Sequence, residues 1–388
     1  VFTRKEATDT SSLACLRFLL SDFTKGAIYP QLASHNAHTV ASVLAMARNK
    51  GRKIEFQRLH GMGDALYNTV LNQHDIPVRI YAPVGAHKDL LPYLVRRLLE
   101  NGANSSFVHR LVDARTPIED LVQNPVQDLQ KHKTLANNRI PLPSQIYGAD
   151  RRNSKGVNLH VESHLDPLMR ALKTWDSHQW TAGPVINGQK RTDGESKTVH
   201  APFDQSQKVG SVCWATEAHA REALDVASGA FKSWNETPVE ERARCLERYA
   251  DLMEKHLEEL MAICSREAGK SLQDGIDEVR EAVDFCRYYA NQGRLRFAES
   301  ITLPGPTGES NELYLEGRGV FVCISPWNFP LAIYTGQMMA ALVAGNTVIA
   351  KPAEQTSLLA HRAFELMLEA GFPGSAVQLL PGDGATIG

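Results

Sequence analysis

The strongest constraint on the fold is an alternation of short β-branched or aromatic runs with helical segments, which occurs twice along the 388 residues. In the first third the predicted elements are strands near 27–34, 53–61 and 78–85, separated by helices near 37–49 and 63–73. Strand and helix in regular alternation are typical of a parallel sheet or a (β/α) barrel. The sequence therefore predicts an α/β fold for this region.

The second alternation begins after Asn311. Its predicted elements are strands near 319–325, 346–352 and 376–382, separated by helices near 331–344 and 356–370. This βαβαβ order is typical of one half of a doubly wound nucleotide-binding sheet, in which ligands bind at the carboxyl ends of the strands. The sequence places SPWNFP, KPAE and PGDGATIG at those ends. GDGATIG alone is a weak signal, but the three segments together predict a nucleotide-binding edge.

Length, charge and cysteine usage exclude several classes of protein. A chain of 388 residues suggests two domains or more, and 42 basic against 44 acidic residues argue against a nucleic-acid-binding chain overall. Six cysteines occur singly with no CxxC pair, so neither a zinc site nor a disulfide framework is predicted and a cytoplasmic setting is expected. The most apolar run, 331–344, is too short to span a membrane.

One predicted helix separates its polar and apolar residues cleanly. Spacings of i, i+3, i+4 and i+7 form a polar stripe of Tyr93, Arg96, Arg97 and Glu100. The leucines on the other side predict a buried back, with Asp89 as the N-cap and Pro92 in the first turn. Such a stripe is more often a solvated surface than a site, so the helix alone leaves both interpretations open.

The strand ends of the first third favour a site. Polar residues follow each predicted strand: Ser34-His35-Asn36, Gln57 to His60, and Tyr81. In a (β/α) barrel the carboxyl ends of the strands face one mouth, where ligands bind. Several polar strand ends together are harder to explain as surface residues than any one of them alone.

At this point the first third resembles a known family. RIYAPVGAHKDLLPYLVRRLLENGANSSFV, with HNAH and FQRLHGMG upstream, is similar to the closing strands and last helix of the proline dehydrogenase barrel in the bifunctional proline utilization A flavoenzymes. Proline is a small zwitterion, and its carboxylate requires a fixed cationic fork. The resemblance implies that Arg96 and Arg97 hold that carboxylate, while Glu100 pairs with the amine or orients an arginine. It also implies that the proline ring is walled by Tyr81, Tyr93 and Leu59.

The same resemblance implies an FAD site. The residues that it places against the flavin are Thr3, Lys5, Ser34, His35, Asn36, Gln57 and Phe107. In the family the earlier barrel strands carry a lysine and an aspartate of the site and much of the flavin cradle.

The second half resembles the coenzyme domain of the aldehyde dehydrogenase superfamily, over about residues 180–388. The resemblance implies that Trp327 and Lys351 line the adenosine side of NAD and that Lys351 and Glu354 bond the ribose hydroxyls. It implies that Gly382 and Gly384 let the backbone approach the cofactor.

The resemblance also implies a catalytic role for Asn328, whose side-chain amide would donate to the oxyanion formed when a thiolate attacks an aldehyde. The attacking cysteine of the family lies downstream of this chain. Cys323 is the nearest candidate, but it sits within an apolar strand and is expected to be an inert, buried thiol.

These observations predict three regions. Residues 1–112 are the C-terminal part of a (β/α)8 proline dehydrogenase barrel, and residues 179–388 are the Rossmann-like start of an aldehyde dehydrogenase domain. Residues 113–178 are expected to be a connector, in which Arg151-Arg152 favours a solvated linker over an anion site.

The leading interpretation is an internal piece of a proline utilization A protein, inactive alone in either reaction. It implies FAD-dependent oxidation of proline to 1-pyrroline-5-carboxylate, then NAD-dependent oxidation of glutamate semialdehyde to glutamate. It further implies a membrane quinone as electron acceptor, peripheral association with the inner membrane, a homo-oligomer, and DNA binding only where a repressor segment precedes the barrel. Two alternatives stay open: a single aldehyde dehydrogenase with an unrelated N-terminal extension, and a non-catalytic remnant.

Overall fold

The structure is a computed structural model that describes residues 2–102, 117, 119 and 122–388, without the side chains of Leu98, Glu100 and Asn101. The chain divides into two compact units, Val1–Ile140 and Pro141–Gly388. This division falls inside the connector expected for residues 113–178, and the domain limits at 112 and 178 stay predictions. No helix in the described ranges is long and apolar enough to cross a membrane.

The first unit alternates helices with parallel strands. Its elements are α1 (Lys5–Leu19), β1 (Gln31–Ala33), α2 (Ala37–Lys50), β2 (Glu55–Leu59), α3 (Asp64–Gln73), β3 (Val78–Tyr81), α4 (His87–Gly102) and α5 (Pro125–Gln130). The strands pair in the order β1-β2-β3, with Leu32 opposite Phe56 and Phe56 opposite Val78. The alternation predicted from the sequence is confirmed for this unit.

Short-range signals explain why α2 begins and ends where it does. Asn36 caps it by accepting hydrogen bonds from the backbone N–H groups of His38 and Thr39. Gly51 ends it in the left-handed region, at φ 57°. The buried faces of α2 and α3 then cover the sheet, where Phe56 packs against Tyr67. The turn from β1 into α2 is therefore fixed at the edge of the sheet where the candidate site lies.

The bounds of α4 differ from the prediction. The backbone N–H of Leu90 already donates to the carbonyl of Ala86, so the first turn closes early and Asp89 and Pro92 lie inside the helix. The predicted buried back is also wrong, since Leu91, Leu94 and other apolar side chains of α4 are exposed. The sheet of the first unit ends at β3, and the described residues provide no further strand to cover that face.

The second unit contains three sheets and a helical layer. Its helices are α6 (Glu162–Lys173), α7 (Glu217–Glu236), α8 (Val239–Lys255), α9 (Leu257–Ala268), α10 (Leu272–Phe297), α11 (Ala332–Val343) and α12 (Ser357–Glu369). Its strands are β4 (Trp180–Ala182), β5 (Val185–Ile186), β6 (Gln189–Lys190), β7 (Ser196–Ala201), β8 (Asp204–Cys213), β9 (Ile301–Leu303), β10 (Asn311–Leu313), β11 (Val320–Ile324), β12 (Thr347–Lys351) and β13 (Val377–Leu379).

The main sheet of this unit has the order β11-β12-β13-β5-β6. The first three strands are parallel and alternate with α11 and α12, which confirms the predicted βαβαβ order. The last two strands form an antiparallel hairpin through Asn187 and Gly188, both at positive φ, as expected for an Asn-Gly turn. Smaller sheets are formed by β4-β8-β7 and by β9 with β10.

Helices α8, α10 and α11 pack around a continuous apolar core that includes Tyr249, Met253 and Leu342. The approach of α10 to α11 is close because Gly293 faces Val343, where a Cβ atom would collide with the valine side chain. This core holds α11, which follows β11, against α10. It thereby sets the position of the loop that joins β11 to α11.

The exposed segment that carries Arg151-Arg152 is attached to the second unit by ion pairs. Arg151 pairs with Asp284 at 3.1 Å, and Arg152 pairs with Asp251 at 2.6 Å. The sequence pattern contains no sign of these ion pairs, because the acidic partners lie on α8 and α10, about a hundred residues or more along the chain.

Candidate functional site

The carboxyl ends of β1, β2 and β3 surround a cavity of about 340 Å³ in the first unit. Seven residues predicted from the sequence line it together: Ser34, His35, Gln57, Leu59, Tyr81, Tyr93 and Arg97. The strands deliver the first five and α4 delivers the last two. The structure thus brings most of the predicted substrate and flavin residues to one place.

Aromatic rings and one guanidinium form the α4 side of this cavity. The ring centroids of Tyr81 and Tyr93 are 5.9 Å apart, and the Arg97 guanidinium carbon lies 5.1 Å from the Tyr93 ring centroid. An adjoining cavity of about 480 Å³ shares these three residues and Leu59. A cation above an aromatic wall suits a small ligand with a carboxylate and an apolar ring.

His35 is a half-buried member of the cavity. Its Nε2 accepts a hydrogen bond from the backbone N–H of Leu59 at 3.3 Å, so that nitrogen carries no proton in this arrangement. Burial lowers the pKa of His35, and the nearby charge of Arg58 lowers it further. The imidazole is therefore neutral at pH 7 and acts as a hydrogen-bonding group rather than as a charge.

A buried carboxylate holds the side chain of Gln57, one of the residues that line the cavity. Glu55 on β2 accepts hydrogen bonds from Arg79 Nε at 2.6 Å and from Arg79 Nη2 at 2.9 Å. Its Oε1 also accepts from the side-chain amides of Gln31 and Gln57, at 3.2 and 3.4 Å. The hydrogen bond from Arg79 holds the pKa of Glu55 below its usual range. Gln57 is thus held by a side chain of its own strand.

Several predicted site residues lie elsewhere. Arg96 and Asn36 do not line either cavity, and Asn36 instead caps α2. Thr3 accepts a hydrogen bond at its hydroxyl from the backbone N–H of Asn137 at 2.9 Å, and Lys5 pairs with Asp9. The Glu100 side chain and Phe107 are outside the described residues. The roles assigned to these six residues stay predictions.

Arg58 lines the same cavity, and although it lies within the predicted strand end Gln57 to His60, no role of its own was predicted for it. Its guanidinium donates to the carbonyl of Met62 at 2.9 Å and pairs with Asp64 at 2.5 Å. The signal was available, because Arg58 lies between Gln57 and Leu59 at the end of a predicted strand.

In the second unit the three predicted segments meet at one edge of the main sheet. The backbone N–H of Ser325 donates to the carbonyl of Lys351 at 3.1 Å, and that of Leu380 donates to the carbonyl of Ala350 at 2.9 Å. The carboxyl ends of β11, β12 and β13 are therefore aligned side by side. Within the described ranges no group of His, Cys, Asp and Glu could hold a metal ion.

The predicted residues at this edge differ in burial. Trp327 is 61% exposed, and Asn328 and Glu354 are exposed as well. Lys351 is buried, and its Nζ contacts the carbonyl of Pro352 at 3.3 Å. Among the described residues this ammonium makes a single long hydrogen bond. It can therefore donate further hydrogen bonds to groups such as ribose hydroxyls.

Gly382 and Gly384 follow β13. A Cβ atom on Gly382 would lie 2.8 Å from Ile387 Cγ1, whereas a Cβ atom on Gly384 would meet nothing within 4 Å. Between them Asp383 accepts a hydrogen bond from the backbone N–H of Thr386 at 2.7 Å. That bond lowers the pKa of Asp383, and the charge of Lys351 contributes. Gly382 is thus required by packing, and Gly384 faces open space.

Cys323 is buried on β11. Desolvation raises the pKa of its thiol to about 11, so almost none is thiolate at pH 7. The expectation that this cysteine is inert is supported by its surroundings.

Two families match the chain. Residues 189–388 match the aldehyde dehydrogenase family, and residues 1–110 match proline dehydrogenase. The bifunctional protein PutA of Salmonella typhimurium (strain LT2) is 46% identical over 401 residues, which cover 100% of this chain and 29% of that protein. PutA of Rhizobium meliloti is 44% identical over 391 residues, which cover 99% and 30%. The chain spans about three tenths of the length of these curated relatives.

Solved structures agree with both matches. Proline utilization A from Bdellovibrio bacteriovorus is 33% identical with a TM-score of 0.74, and the match covers 100% of this chain and 40% of that one. A 1-pyrroline-5-carboxylate dehydrogenase from Thermus with bound NAD is 36% identical with a TM-score of 0.57, over 61% and 46% of the two chains. The predicted resemblance and fold class are confirmed. The alternative of an unrelated N-terminal extension is wrong, because residues 1–110 have a match of their own.

Proposed function

The chain belongs to the aldehyde dehydrogenase family, and from that premise we propose that the full-length protein containing it converts proline to glutamate in two oxidations. The first is FAD-dependent and gives 1-pyrroline-5-carboxylate. The second is NAD-dependent and oxidises the glutamate semialdehyde that forms when this imine hydrolyses. The observation that carries the proposal is the presence, in one chain, of the cavity of Arg97, Tyr81 and Tyr93 and of the sheet edge that carries Asn328 and Lys351.

The first cavity suits proline as substrate. Arg97 would bind the carboxylate through charge-assisted hydrogen bonds, while Tyr81 and Tyr93 provide an aromatic wall against which the ring can pack. Hydrogen-bonding groups for the polar edge of the flavin ring are offered along the strand ends by Ser34, His35 and Gln57. FAD, when bound, would accept the hydride removed from the substrate. Neutral His35 and the held amide of Gln57 would orient that edge without adding charge.

The second site suits an aldehyde and NAD. The buried ammonium of Lys351 has N–H donors left for ribose hydroxyls, and Glu354 lies exposed after the same strand. NAD, when bound, would accept the hydride from the aldehyde carbon. Asn328 would donate its amide N–H to the substrate oxygen as negative charge develops there. The buried thiol of Cys323 takes no part, because its pKa of about 11 keeps it protonated.

The test is a pair of assays on the full-length protein. Proline with an artificial electron acceptor and glutamate semialdehyde with NAD should both be turned over. Asn328→Ala should reduce kcat of the aldehyde reaction by roughly 100- to 1,000-fold and leave proline oxidation unchanged, because only the second site uses this amide. No proline oxidation by the unmodified protein would refute the first half of the proposal, and no aldehyde oxidation would refute the second.

We also propose the electron acceptor, location, oligomeric state and DNA binding that the resemblance implies. These are a membrane quinone as electron acceptor, peripheral association of a cytoplasmic homo-oligomer with the inner membrane, and DNA binding only where a repressor segment precedes the barrel. They rest on the resemblance alone. Quinone-dependent proline oxidation in the presence of lipid vesicles, and sedimentation of the protein with those vesicles, test the first two.

A further inference from the structure

Glu278 on α10 is a buried carboxylate, 2% exposed, that binds the start of another helix. Its Oε2 accepts hydrogen bonds from the backbone N–H groups of Leu331 at 3.1 Å and Ala332 at 3.0 Å. The first N–H groups of a helix have no acceptor within the helix, and a carboxylate is favoured at that end. Glu278 therefore fixes the backbone at the start of α11, where the loop after β11 ends.

Lys270 provides a second attachment to the same loop. Its Nζ lies 3.0 Å from Glu278 Oε1 and 4.9 Å from the centroid of the Phe329 ring. One ammonium thus contacts both the carboxylate that caps α11 and the aromatic ring next to Asn328. A cation over an aromatic face and a buried ion pair both depend on geometry, so they restrict where Phe329 can lie.

Asn328 lacks a fixing contact of its own. Its side chain makes no hydrogen bond to any other described residue, and it is exposed. The direction of its amide is therefore set by the backbone of residues 325–330. The backbone of this loop is held after Asn328 by the ring of Phe329 and by the capped N–H groups of Leu331 and Ala332.

We propose that Lys270 and Glu278 are positioning residues for the Asn328 amide. Glu278 fixes the end of the loop, and Lys270 fixes Phe329, so the amide points in one direction before the substrate arrives. This inference rests on the proposed function, because Asn328 needs a fixed direction only if it stabilises an oxyanion. Preorganised donors are effective because they need no rearrangement during the reaction.

Glu267 on α9 supplies a matched control. It is buried, and its two oxygens accept from the backbone N–H groups of Leu358 at 2.7 Å and Leu359 at 2.9 Å, at the start of α12. That helix follows the segment carrying Lys351 and Glu354, which belong to the proposed NAD site. The same device thus supports the cofactor segment in one case and the Asn328 loop in the other.

The experiment measures aldehyde oxidation, NAD affinity and proline oxidation in the full-length protein and in Lys270→Met, Lys270→Arg and Glu267→Gln. Lys270→Met should reduce kcat of the aldehyde reaction by about tenfold, with NAD affinity and proline oxidation within twofold, since only the oxyanion donor is misplaced. Lys270→Arg keeps the charge beside Glu278 and Phe329 and should restore most of kcat. Glu267→Gln should instead weaken NAD binding and retain kcat at saturating NAD.

Two results would overturn the inference. One is a kcat for Lys270→Met within twofold of the unmodified protein. The other is a parallel loss of NAD affinity or proline oxidation in Lys270→Met, which would assign Lys270 a general structural role. If the unmodified protein oxidises no aldehyde, the proposed function fails instead.

Discussion

The two units use a buried carboxylate beside their candidate sites in different ways. Among the described residues, the Glu55 carboxylate of the first unit bonds to side chains alone, those of Arg79, Gln31 and Gln57 on β2 and its two neighbouring strands. Glu278 in the second unit bonds to the backbone of a helix 53 residues further along the chain, as well as to Lys270.

The difference shows what each site depends on. In the first unit the Glu55 side chain orders other side chains. Arg79 has 63% of its side chain exposed, so water can hydrogen-bond to its guanidinium if Glu55 is removed. In the second unit a side chain orders the backbone, and its removal would leave two N–H groups and an ammonium without acceptors. The first site should therefore respond to changes of individual side chains, and the second to changes that move its loops.

The largest expected effect is on stability. Glu278→Ala should destabilise the second unit by about 3–5 kcal/mol, because it breaks a buried ion pair and uncaps α11. All five tryptophans, at 175, 180, 214, 234 and 327, lie in this unit, so urea unfolding followed by tryptophan fluorescence reports on it alone. Glu55→Ala should leave that fluorescence transition unchanged. Unfolding of the first unit gives no tryptophan signal and is followed by circular dichroism, and Glu55→Ala should shift it by less than Glu278→Ala shifts the second unit. Equal shifts for the two variants would remove the distinction between the units.

The next effect concerns the side chains of the first site. Arg97→Met in the full-length protein should raise the KM for proline by roughly 10- to 100-fold, as expected when charge-assisted hydrogen bonds of about 1.5–3 kcal/mol are lost. Arg96→Met is the matched variant, and its effect should be smaller because Arg96 does not line either cavity. Steady-state kinetics on both variants decides the matter. A larger effect from Arg96 would show that the carboxylate binds on the other side of α4.

A third prediction uses pH to test a carboxyl group that binds backbone N–H groups in the second unit, that of Glu267. Burial raises the pKa of Glu267 to about 8 from an ordinary value of 4.5, so the folded protein binds more protons than the unfolded chain between these values. Stability should therefore fall as pH rises through this window, by at most about 1.4 kcal/mol per pH unit from this group. Glu267→Gln stays neutral and should lose this slope. Urea unfolding at pH 6 and pH 7 measures it, and identical slopes for both proteins would contradict the assignment.

The smallest stability effect is expected at the turn after β13. Gly384→Ala should change the free energy of unfolding by less than about 0.5 kcal/mol, because the new methyl group meets open space. Gly382→Ala should cost about 1 kcal/mol or more, because its methyl group would press on Ile387. Gly384→Ala should nevertheless weaken NAD binding, which calorimetry on the full-length protein would detect. Unchanged NAD affinity would exclude a close approach of the cofactor at Gly384.

Much of the architecture could be predicted because it depends on local signals. The order β11-α11-β12-α12-β13 follows from apolar runs that alternate with helical periodicity, and the β5-β6 hairpin follows from Asn187-Gly188. The cavity of the first unit could be predicted in part, since polar residues at successive strand ends must share an edge. Thr3 and Lys5 were placed there by resemblance alone, and in the structure they contact Asn137 and Asp9.

The supporting contacts could not be predicted. Glu278 lies in an amphipathic helix, and the sequence pattern of such a helix does not distinguish a buried glutamate from an exposed one. Its role as an acceptor depends on the start of a helix 53 residues away. Arg151 and Arg152 gave the same difficulty, because their partners lie on distant helices. Sequence periodicity identifies which face of an element is apolar, but it does not identify which distant polar group a buried charge will meet.

The Asn187-Gly188 turn has a further consequence, for how the main sheet can grow. The backbone N–H of Asn187 donates to Gln378 Oε1 at 2.8 Å, and Gly374 lies so close that a Cβ atom would sit 2.6 Å from the Gly188 nitrogen. The hairpin therefore covers the β13 side of the parallel strands and leaves the two-residue β6 as the edge on that side. Among the described residues β11 has a neighbour on one side only, and it exposes Phe321, Val322 and Ile324. An exposed apolar edge of this kind is a template for strand addition, so we expect a further strand, native or aggregated, to join at β11 rather than at β6, which is only two residues long.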